Sequence, residues 1–203
     1  MFRSFTAIIA ALVVVVLASG SALAAPSKTL DNLMAAYNGE SNAKARYTEF
    51  ARTADQEGFA GVASLFRAAA RAEEVHATRH AEVIKKLGGT PMADIKLPEI
   101  KATADNLKAA VEGETYERDK MYPEFIAEAK ASGNRDALRA FNYAVAAEAQ
   151  HATLDGEAAA NLQAWKQAKT FYVCPQCGNT VTTVTFEKCP VCFKPGAEFV
   201  KVV

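Results

Sequence analysis

Several acidic and histidine side chains lie where the sequence pattern would otherwise place apolar core residues. Four of them form two Glu-x-x-His pairs. Residues three apart are neighbours on one face of a helix, so each pair can present a carboxylate and an imidazole to one point. Carboxylates buried together need positive charge nearby, because their burial is otherwise prohibitive. The residues of this kind are Glu40, Glu73, His76, Glu114, Glu117, Glu148 and His151.

This set predicts a pair of metal ions inside a bundle of helices. One glutamate from each of two helices, plus Glu-x-x-His from each of two others, is the pattern of di-iron or di-manganese carboxylate proteins. The five carboxylates carry negative charge that two metal ions would largely offset. Carboxylate oxygens with imidazole favour iron or manganese over a structural zinc. Spacing alone does not say which carboxylates bridge the two metals.

Four cysteines near the C-terminus form a second candidate metal site. Cys174 and Cys177 make one C-x-x-C knuckle, and Cys189 and Cys192 make another after eleven intervening residues. Such spacing is typical of a tetrahedral four-thiolate site for iron or zinc. Two disulfides are the alternative for an exported chain. Two knuckles of the same design favour a shared ion, without choosing between iron and zinc.

Four stretches of helical periodicity position the first set of residues. Apolar residues recur at steps of three or four from Ser27 to about Ala168, which predicts one buried stripe on each helix. Gly58, Gly88–Gly89 and Gly133–Asn134 separate the stripes, where helix C-terminal caps are expected. Residues 90–103 form a longer connection between two tight hairpins. This order predicts the ferritin-like four-helix bundle with a long crossover.

The two halves of the bundle repeat each other. Glu40 and Tyr47 correspond to Glu114 and Tyr122, and the two Glu-x-x-His pairs correspond to each other. The offset is 74 at the first glutamates and 75 afterwards, which indicates one inserted residue in the second half. Glu117 then corresponds to Ala43, which cannot bind a metal. The repeat predicts pseudo-twofold symmetry broken by one extra carboxylate.

The helical period ends after Lys169. Residues 170–203 contain all four cysteines and a β-prone stretch from Thr180 to Thr185. So short a segment cannot be stabilised by burial alone, and a bound ion would stabilise it. We therefore predict a bundle domain over residues 28–168 and a small four-cysteine domain of β-strands and knuckles over residues 170–203.

The N-terminal segment has the layout of a secretory signal peptide over residues 1–24. Arg3 precedes an apolar run from Phe5 to Ala18, and Ala22-Leu23-Ala24 supplies a cleavage motif. An uncleaved membrane anchor is the alternative, although the run is shorter than the roughly 20 residues a spanning helix needs. We expect an exported, periplasmic protein. The formal net charge is zero, and no basic patch indicates a nucleic-acid partner.

Four helical motifs resemble those of the rubrerythrin family. They are Gly39–Tyr47, Glu73–Ala77, Gly113–Glu117 and Glu148–His151, and with the cysteines the resemblance covers nearly all of residues 28–203. It implies a peroxidase active in oxidative-stress defence that reduces hydrogen peroxide to water. The resemblance also implies that the four-cysteine domain is rubredoxin-like. The cofactors would be two irons in the bundle and one iron, or alternatively zinc, on the cysteines. The cysteine-bound iron would relay electrons to the pair.

The resemblance also implies roles for particular residues. Glu117 would bind one iron in the oxidised state, and that iron would move toward His76 on reduction. Tyr47 and Tyr122 match tyrosines near the family's metal site and are expected to donate hydrogen bonds there. The chains would pair head to tail as a homodimer, so that the cysteine iron of one serves the other. Export leaves the donor unidentified, with a periplasmic redox protein such as a c-type cytochrome as the candidate.

Two alternatives and one further hypothesis accompany these expectations. The chain could oxidise Fe(II) as a ferroxidase, or bind metal without catalysis, with zinc in a structural cysteine module. Separately from the resemblance, His80 and Asp155 lie one turn after His76 and His151. Metal-bound imidazoles usually donate their other N–H to an acceptor. We therefore expect Asp155 to accept from His151, and consider His80 for the same role beside His76.

Overall fold

The computed structural model describes residues 27–203, so the predicted signal peptide lies outside the described residues. No helix in the described range is long and apolar enough to cross a membrane. The helices of the bundle are α1 (Lys28–Gln56), α2 (Ala60–Lys86), α3 (Thr103–Tyr116), a π-helix (Glu117–Met121), α4 (Tyr122–Ala131) and α5 (Arg135–Ala160).

These elements form four long helices, because α3, the π-helix and α4 run on without a break. Helices α1 and α2 make the first hairpin, and the composite third helix makes the second with α5. The stretch from Leu87 to Ala102 contains no helix or strand and is the long crossover. The ferritin-like bundle predicted from the connection lengths is confirmed.

Capping residues set the helix boundaries. The Ser27 side chain accepts a hydrogen bond from the Leu30 amide, and Asn134 does the same for Ala137. Gly58 and Gly133 follow α1 and α4 with φ of 80° and 70°, a left-handed conformation that favours glycine. Both hairpin turns therefore lie where the glycines indicated.

The π-helix accounts for the insertion detected in the sequence repeat. A π-turn carries one more residue than an α-turn. This turn lies between Glu114, where the offset from the first half is 74, and Tyr122, where it is 75. The extra residue is thus absorbed inside a continuous helix. Glu114 and Tyr122 both keep their side chains in the core.

Two apolar clusters of the bundle lie on either side of the polar stripe. One contains Tyr47 and Phe66, whose rings stack with centroids 5.8 Å apart. The other contains Tyr122 and Phe141, with centroids 6.0 Å apart. Along each helix the acidic and histidine residues fall between the two clusters. The core therefore supplies a dry layer on both sides of the site.

A short 3₁₀ helix, Leu162–Trp165, leads into the cysteine domain, which contains β1 (Phe171–Val173), β2 (Thr180–Val181) and β3 (Val200–Val202). The strands form an antiparallel sheet in the order β2-β1-β3. Only the first two residues of the β-prone stretch are in a strand, where they pair with Tyr172 and Val173 of β1. Phe171 is fully buried and stacks on Trp165, which anchors the sheet to the bundle.

Candidate metal centres

The bundle brings six predicted ligands together in two overlapping groups. Every one of them is at most 2% exposed. Potential ligand atoms within each group lie within 4.8 Å of one another. Both groups contain Glu73 and Glu148, so these two carboxylates are placed to bridge two metals, a point the spacing left open. The groups are Glu40, Glu73, His76 and Glu148, and Glu73, Glu114, Glu148 and His151.

Each histidine faces the shared carboxylates with its Nδ1 atom. His76 Nδ1 lies 2.9 Å from Glu73 Oε2 and 3.0 Å from Glu148 Oε1. His151 Nδ1 lies 2.9 Å from Glu148 Oε2 and 3.6 Å from Glu73 Oε1. The Glu-x-x-His spacing thus delivers one imidazole to each group, on opposite sides of the two bridging residues.

The donor set fits two cations. Within residues 27–203, several buried ligand atoms have no hydrogen-bond partner. A buried polar atom without a partner is costly, and neighbouring carboxylates repel each other. A cation between them relieves both costs. The unpartnered ligand atoms are Glu40 Oε2, Glu73 Oε1, Glu114 Oε2, both carboxylate oxygens of Glu148, and His151 Nδ1.

Without a cation the same residues retain protons. Burial raises the pKa of Glu73 well above its usual value, and repulsion from Glu148 and Glu40 adds to this. Burial opposes the charged form of His76, but the neighbouring Glu148 and Glu40 carboxylates prevail and raise its pKa to about 10. Metal binding must therefore displace protons from this site.

Two tyrosines orient the carboxylates that are not shared. Tyr47 donates to Glu114 Oε1, and Tyr122 donates to Glu40 Oε1. Both tyrosines are fully buried, and each bond crosses from one hairpin to the other. The structure therefore places both residues as hydrogen-bond donors to ligands.

Glu117 lies apart from both ligand groups. It begins the π-helix and is half-buried. Burial raises its pKa, followed by repulsion from Glu40 and Glu114. His76, in contrast, occupies the ligand group. Of the two residues expected to exchange, the structure thus places the histidine at the site, and the exchange itself stays a prediction.

The hypothesis for His80 and Asp155 is wrong in this structure. His76 Nε2 lies 3.1 Å from the Cys177 carbonyl oxygen, and His151 Nε2 lies 3.1 Å from Thr180 Oγ1. Asp155 has no hydrogen-bond partner for either oxygen within the described chain. The acceptors come from the cysteine domain, and helical spacing within the bundle could not reveal them.

The four cysteines converge on one point. Cys174 Sγ lies 3.5 Å from Cys192 Sγ, and Cys177 Sγ lies 3.7 Å from Cys189 Sγ. A disulfide would need about 2.05 Å, whereas sulfurs at about 2.3 Å from a tetrahedral ion are about 3.8 Å apart. All four are free thiols, so the disulfide alternative does not fit. The Cys177 thiol lowers the pKa of Cys174 to about 5, which favours a thiolate ligand.

The cysteine domain lies directly on the bundle site. Besides the contact between Cys177 and His76, Arg79 Nε donates to the Gln176 carbonyl oxygen at 3.2 Å. Cys192 is half-buried, whereas the other three cysteines are fully buried. The domain therefore has one edge at the bundle histidines and another nearer the solvent. The sequence held no signal for this contact, because a backbone carbonyl has no side chain to recognise.

Known proteins are similar to this chain in sequence. The sequence model of the rubrerythrin family matches residues 31–154. Nigerythrin of Nitratidesulfovibrio vulgaris is 38% identical over 176 residues, covering 86% of this chain and 87% of that protein. Rubrerythrin-2 of Clostridium acetobutylicum is 33% identical, covering 81% of this chain and 91% of that protein.

Solved structures of known proteins have a similar fold. The fully reduced, all-ferrous structure of nigerythrin superimposes with a TM-score of 0.80 at 35% identity, covering 91% of each chain. A bacterioferritin of Desulfovibrio desulfuricans shares only the fold, with a TM-score of 0.64 at 22% identity over 69% of this chain and 82% of that one. With a di-iron site of glutamates and histidines and a four-cysteine site, the chain belongs to the rubrerythrin family.

Proposed function

We propose that the protein is an oxidoreductase that reduces hydrogen peroxide to water, with the four-cysteine iron relaying electrons to the di-iron site. The hydrogen bond between His76 Nε2 and the Cys177 carbonyl oxygen carries this proposal. It joins a ligand of one centre to a ligand of the other inside a buried contact. A merely stabilising cysteine module has no need for such a contact.

The ligand residues would hold two irons, which when bound supply the two electrons needed to break the O–O bond. Reducing one peroxide to two waters also consumes two protons. Glu117 is suited to deliver them one at a time, because it is half-buried and close enough to Glu40 and Glu114 for their charges to help raise its pKa, which lets it hold a proton. Tyr47 and Tyr122 keep the Glu114 and Glu40 carboxylates oriented during turnover.

Iron content and oxidant preference test the proposal. Purified protein should hold about three irons per chain, two in the bundle and one on the cysteines. Pre-reduced protein should be oxidised much faster by hydrogen peroxide than by dioxygen. Equal rates would favour a ferroxidase, and zinc on the cysteines would favour a structural module.

A cysteine variant tests the relay itself. C192A should lose the cysteine-bound iron while the bundle keeps two. The variant should then be oxidised once by peroxide and fail to be re-reduced by an added donor at the wild-type rate. Normal multiple turnover in C192A would contradict the relay.

The head-to-tail homodimer stays a proposal with its own test. In this structure the cysteine domain lies on its own chain's bundle. Mixing C192A with a variant that lacks the bundle irons, such as E148A, distinguishes the two arrangements. If the cysteine domain serves the partner, mixed dimers recover turnover. If it serves its own chain, the mixture stays inactive.

We also propose export to the periplasm, with a periplasmic redox protein as electron donor, on the strength of the N-terminal sequence. Cell fractionation combined with a peroxide assay on intact cells tests this. A cytoplasmic location of the protein would contradict the signal-peptide prediction and reopen the choice of donor.

A further inference from the structure

The first cysteine knuckle lies across both histidines of the bundle site. The imidazole rings of His76 and His151 have centroids 6.3 Å apart. The Cys177 carbonyl oxygen lies 3.1 Å from His76 Nε2, and Thr180 Oγ1 lies 3.1 Å from His151 Nε2. Cys177, which ends the knuckle, and Thr180, which begins β2 three positions later, thus each contact a different site histidine.

The direction of the Thr180 bond follows from the single hydroxyl proton. Thr180 Oγ1 donates to the Gly178 carbonyl oxygen at 2.9 Å. Its remaining lone pairs can only accept, so His151 Nε2 must carry the proton. The Nδ1 atom of a neutral His151 then has the free lone pair, and it faces Glu148 Oε2 at 2.9 Å.

The knuckle is shaped for this approach. A Cβ atom at Gly178 would collide with His76 Nε2, so only glycine lets the backbone come this near. Thr180 and His151 are at most 1% exposed, and water does not compete for their bond. Cys177 offers His76 a backbone acceptor, which any residue would supply. Thr180 offers His151 a side-chain acceptor, which depends on the residue type.

We propose that Thr180 is a positioning residue of the di-iron site, whose hydroxyl fixes the tautomer and orientation of the ligand His151. Because the hydroxyl belongs to the cysteine domain, docking of that domain and metal binding in the bundle favour each other reciprocally. The inference rests on the bundle metal site and not on peroxide as substrate.

Nuclear magnetic resonance of the zinc-loaded protein tests the hydrogen bond directly. Zinc(II) is diamagnetic, and the chain has only three histidines, so long-range ¹H–¹⁵N spectra resolve each imidazole. We expect a slowly exchanging Nε2–H on His151 in the wild type and in T180S. T180V, which keeps the shape but loses the hydroxyl, should shift or lose that signal and leave the signal of His76 unchanged.

Metal affinity provides the second readout. Removing a hydrogen-bond partner of a metal-bound histidine typically weakens metal binding about 10- to 100-fold. Anaerobic titration of metal-free protein with Fe(II) against a chelator should show this loss for one bundle ion in T180V. T180S should retain wild-type affinity. T182V, which removes an exposed hydroxyl two residues away, is the matched control.

T180A serves as a second variant in case T180V does not fold. It removes the same hydroxyl and has a smaller side chain than threonine, so it fits the site. It should reproduce the change at His151. If T180V and T180A both keep the wild-type His151 signal and bind Fe(II) like T182V, the proposal is wrong. Failure of the peroxidase assay would leave it standing, since neither readout involves peroxide.

Discussion

The two hairpins of the bundle supply matching ligands but differ around them. Glu40, Glu73 and His76 of the first hairpin have counterparts in Glu114, Glu148 and His151 of the second. Tyr47 and Tyr122 also match, and each donates to the unshared carboxylate of the other hairpin. The parts that are repeated are those that hold two positive ions between four helices.

The differences lie in the residues next to the ligands. The second hairpin has a π-turn and the half-buried Glu117, where the first has a regular helix and the buried Ala43. One turn beyond the histidines, His80 Nε2 lies 3.1 Å from the Tyr122 hydroxyl. Asp155 has no hydrogen-bond partner among residues 27–203, and burial raises its pKa. The repeat thus builds the metal site, and the asymmetric residues give its two halves different chemistry.

The largest expected effect comes from removing a residue that serves both halves. Glu148 belongs to both ligand groups, so E148A should abolish iron binding in the bundle and leave about one iron per chain, on the cysteines. Iron analysis with the absorption spectrum of the thiolate site measures this. E157A, an exposed glutamate on the same helix, is the control. Two or more irons in E148A would contradict the bridging role.

Making the halves more alike should affect turnover more than metal content. E117A gives the second half the residue found at Ala43, and both ligand groups stay complete. We expect two ferrous ions in the bundle as in the wild type, with peroxide turnover lower by about 10²-fold, as for a lost proton-transfer group. E112A, an exposed neighbour, is the control. Unchanged turnover would remove Glu117 from the reaction.

The tyrosine pair should show a smaller and unequal effect on stability. Y47F leaves the Glu114 oxygen without its donor, at a cost of about 1–3 kcal/mol in the free energy of unfolding. Y122F should cost more, because it removes partners from both Glu40 and His80. Urea unfolding measures both, with the exposed Tyr116→Phe as control. Equal losses would show that the His80 contact contributes nothing.

The last prediction is that the dependence of stability on pH changes sign when metal is bound. In metal-free protein, folding raises the pKa of His76 from 6.5 to about 10. The contribution of this histidine to the free energy of unfolding is therefore full below pH 6.5 and is lost as pH rises to 10. The raised pKa of Glu73 acts in the same direction. Metal-loaded protein instead gains stability as pH rises toward 6.5, because its ligands are already deprotonated. Thermal unfolding at pH 5, 6.5 and 9, with metal or chelator, checks both slopes. If stability changes with pH in the same direction with and without metal, the prediction is wrong.

The sequence alone predicts the candidate metal ligands, and the structure brings all of them except Glu117 into two bundle groups and one cysteine group. Glutamates on apolar stripes, the repeated Glu-x-x-His and the two cysteine knuckles specify ligand types at helical or knuckle spacing, and the structure gathers six bundle ligands and four thiols as these patterns indicate. The number of helices, the turns and the crossover could also be predicted from the sequence, because glycine caps and the 3.6-residue period are features of local sequence. Even the inserted residue was visible as a change of offset, although not as a π-turn.

How the ligands are shared and which residues surround them depend on the tertiary structure. The bridging roles of Glu73 and Glu148 depend on how four helices rotate against each other. The partners of His76 and His151 come from a domain about a hundred and about thirty residues away, respectively, and one of them is a backbone carbonyl. Local spacing made Asp155 the expected partner of His151, but docking of the cysteine domain placed Thr180 there instead. Such contacts depend on the relative positions of distant segments, which no periodicity within one helix records.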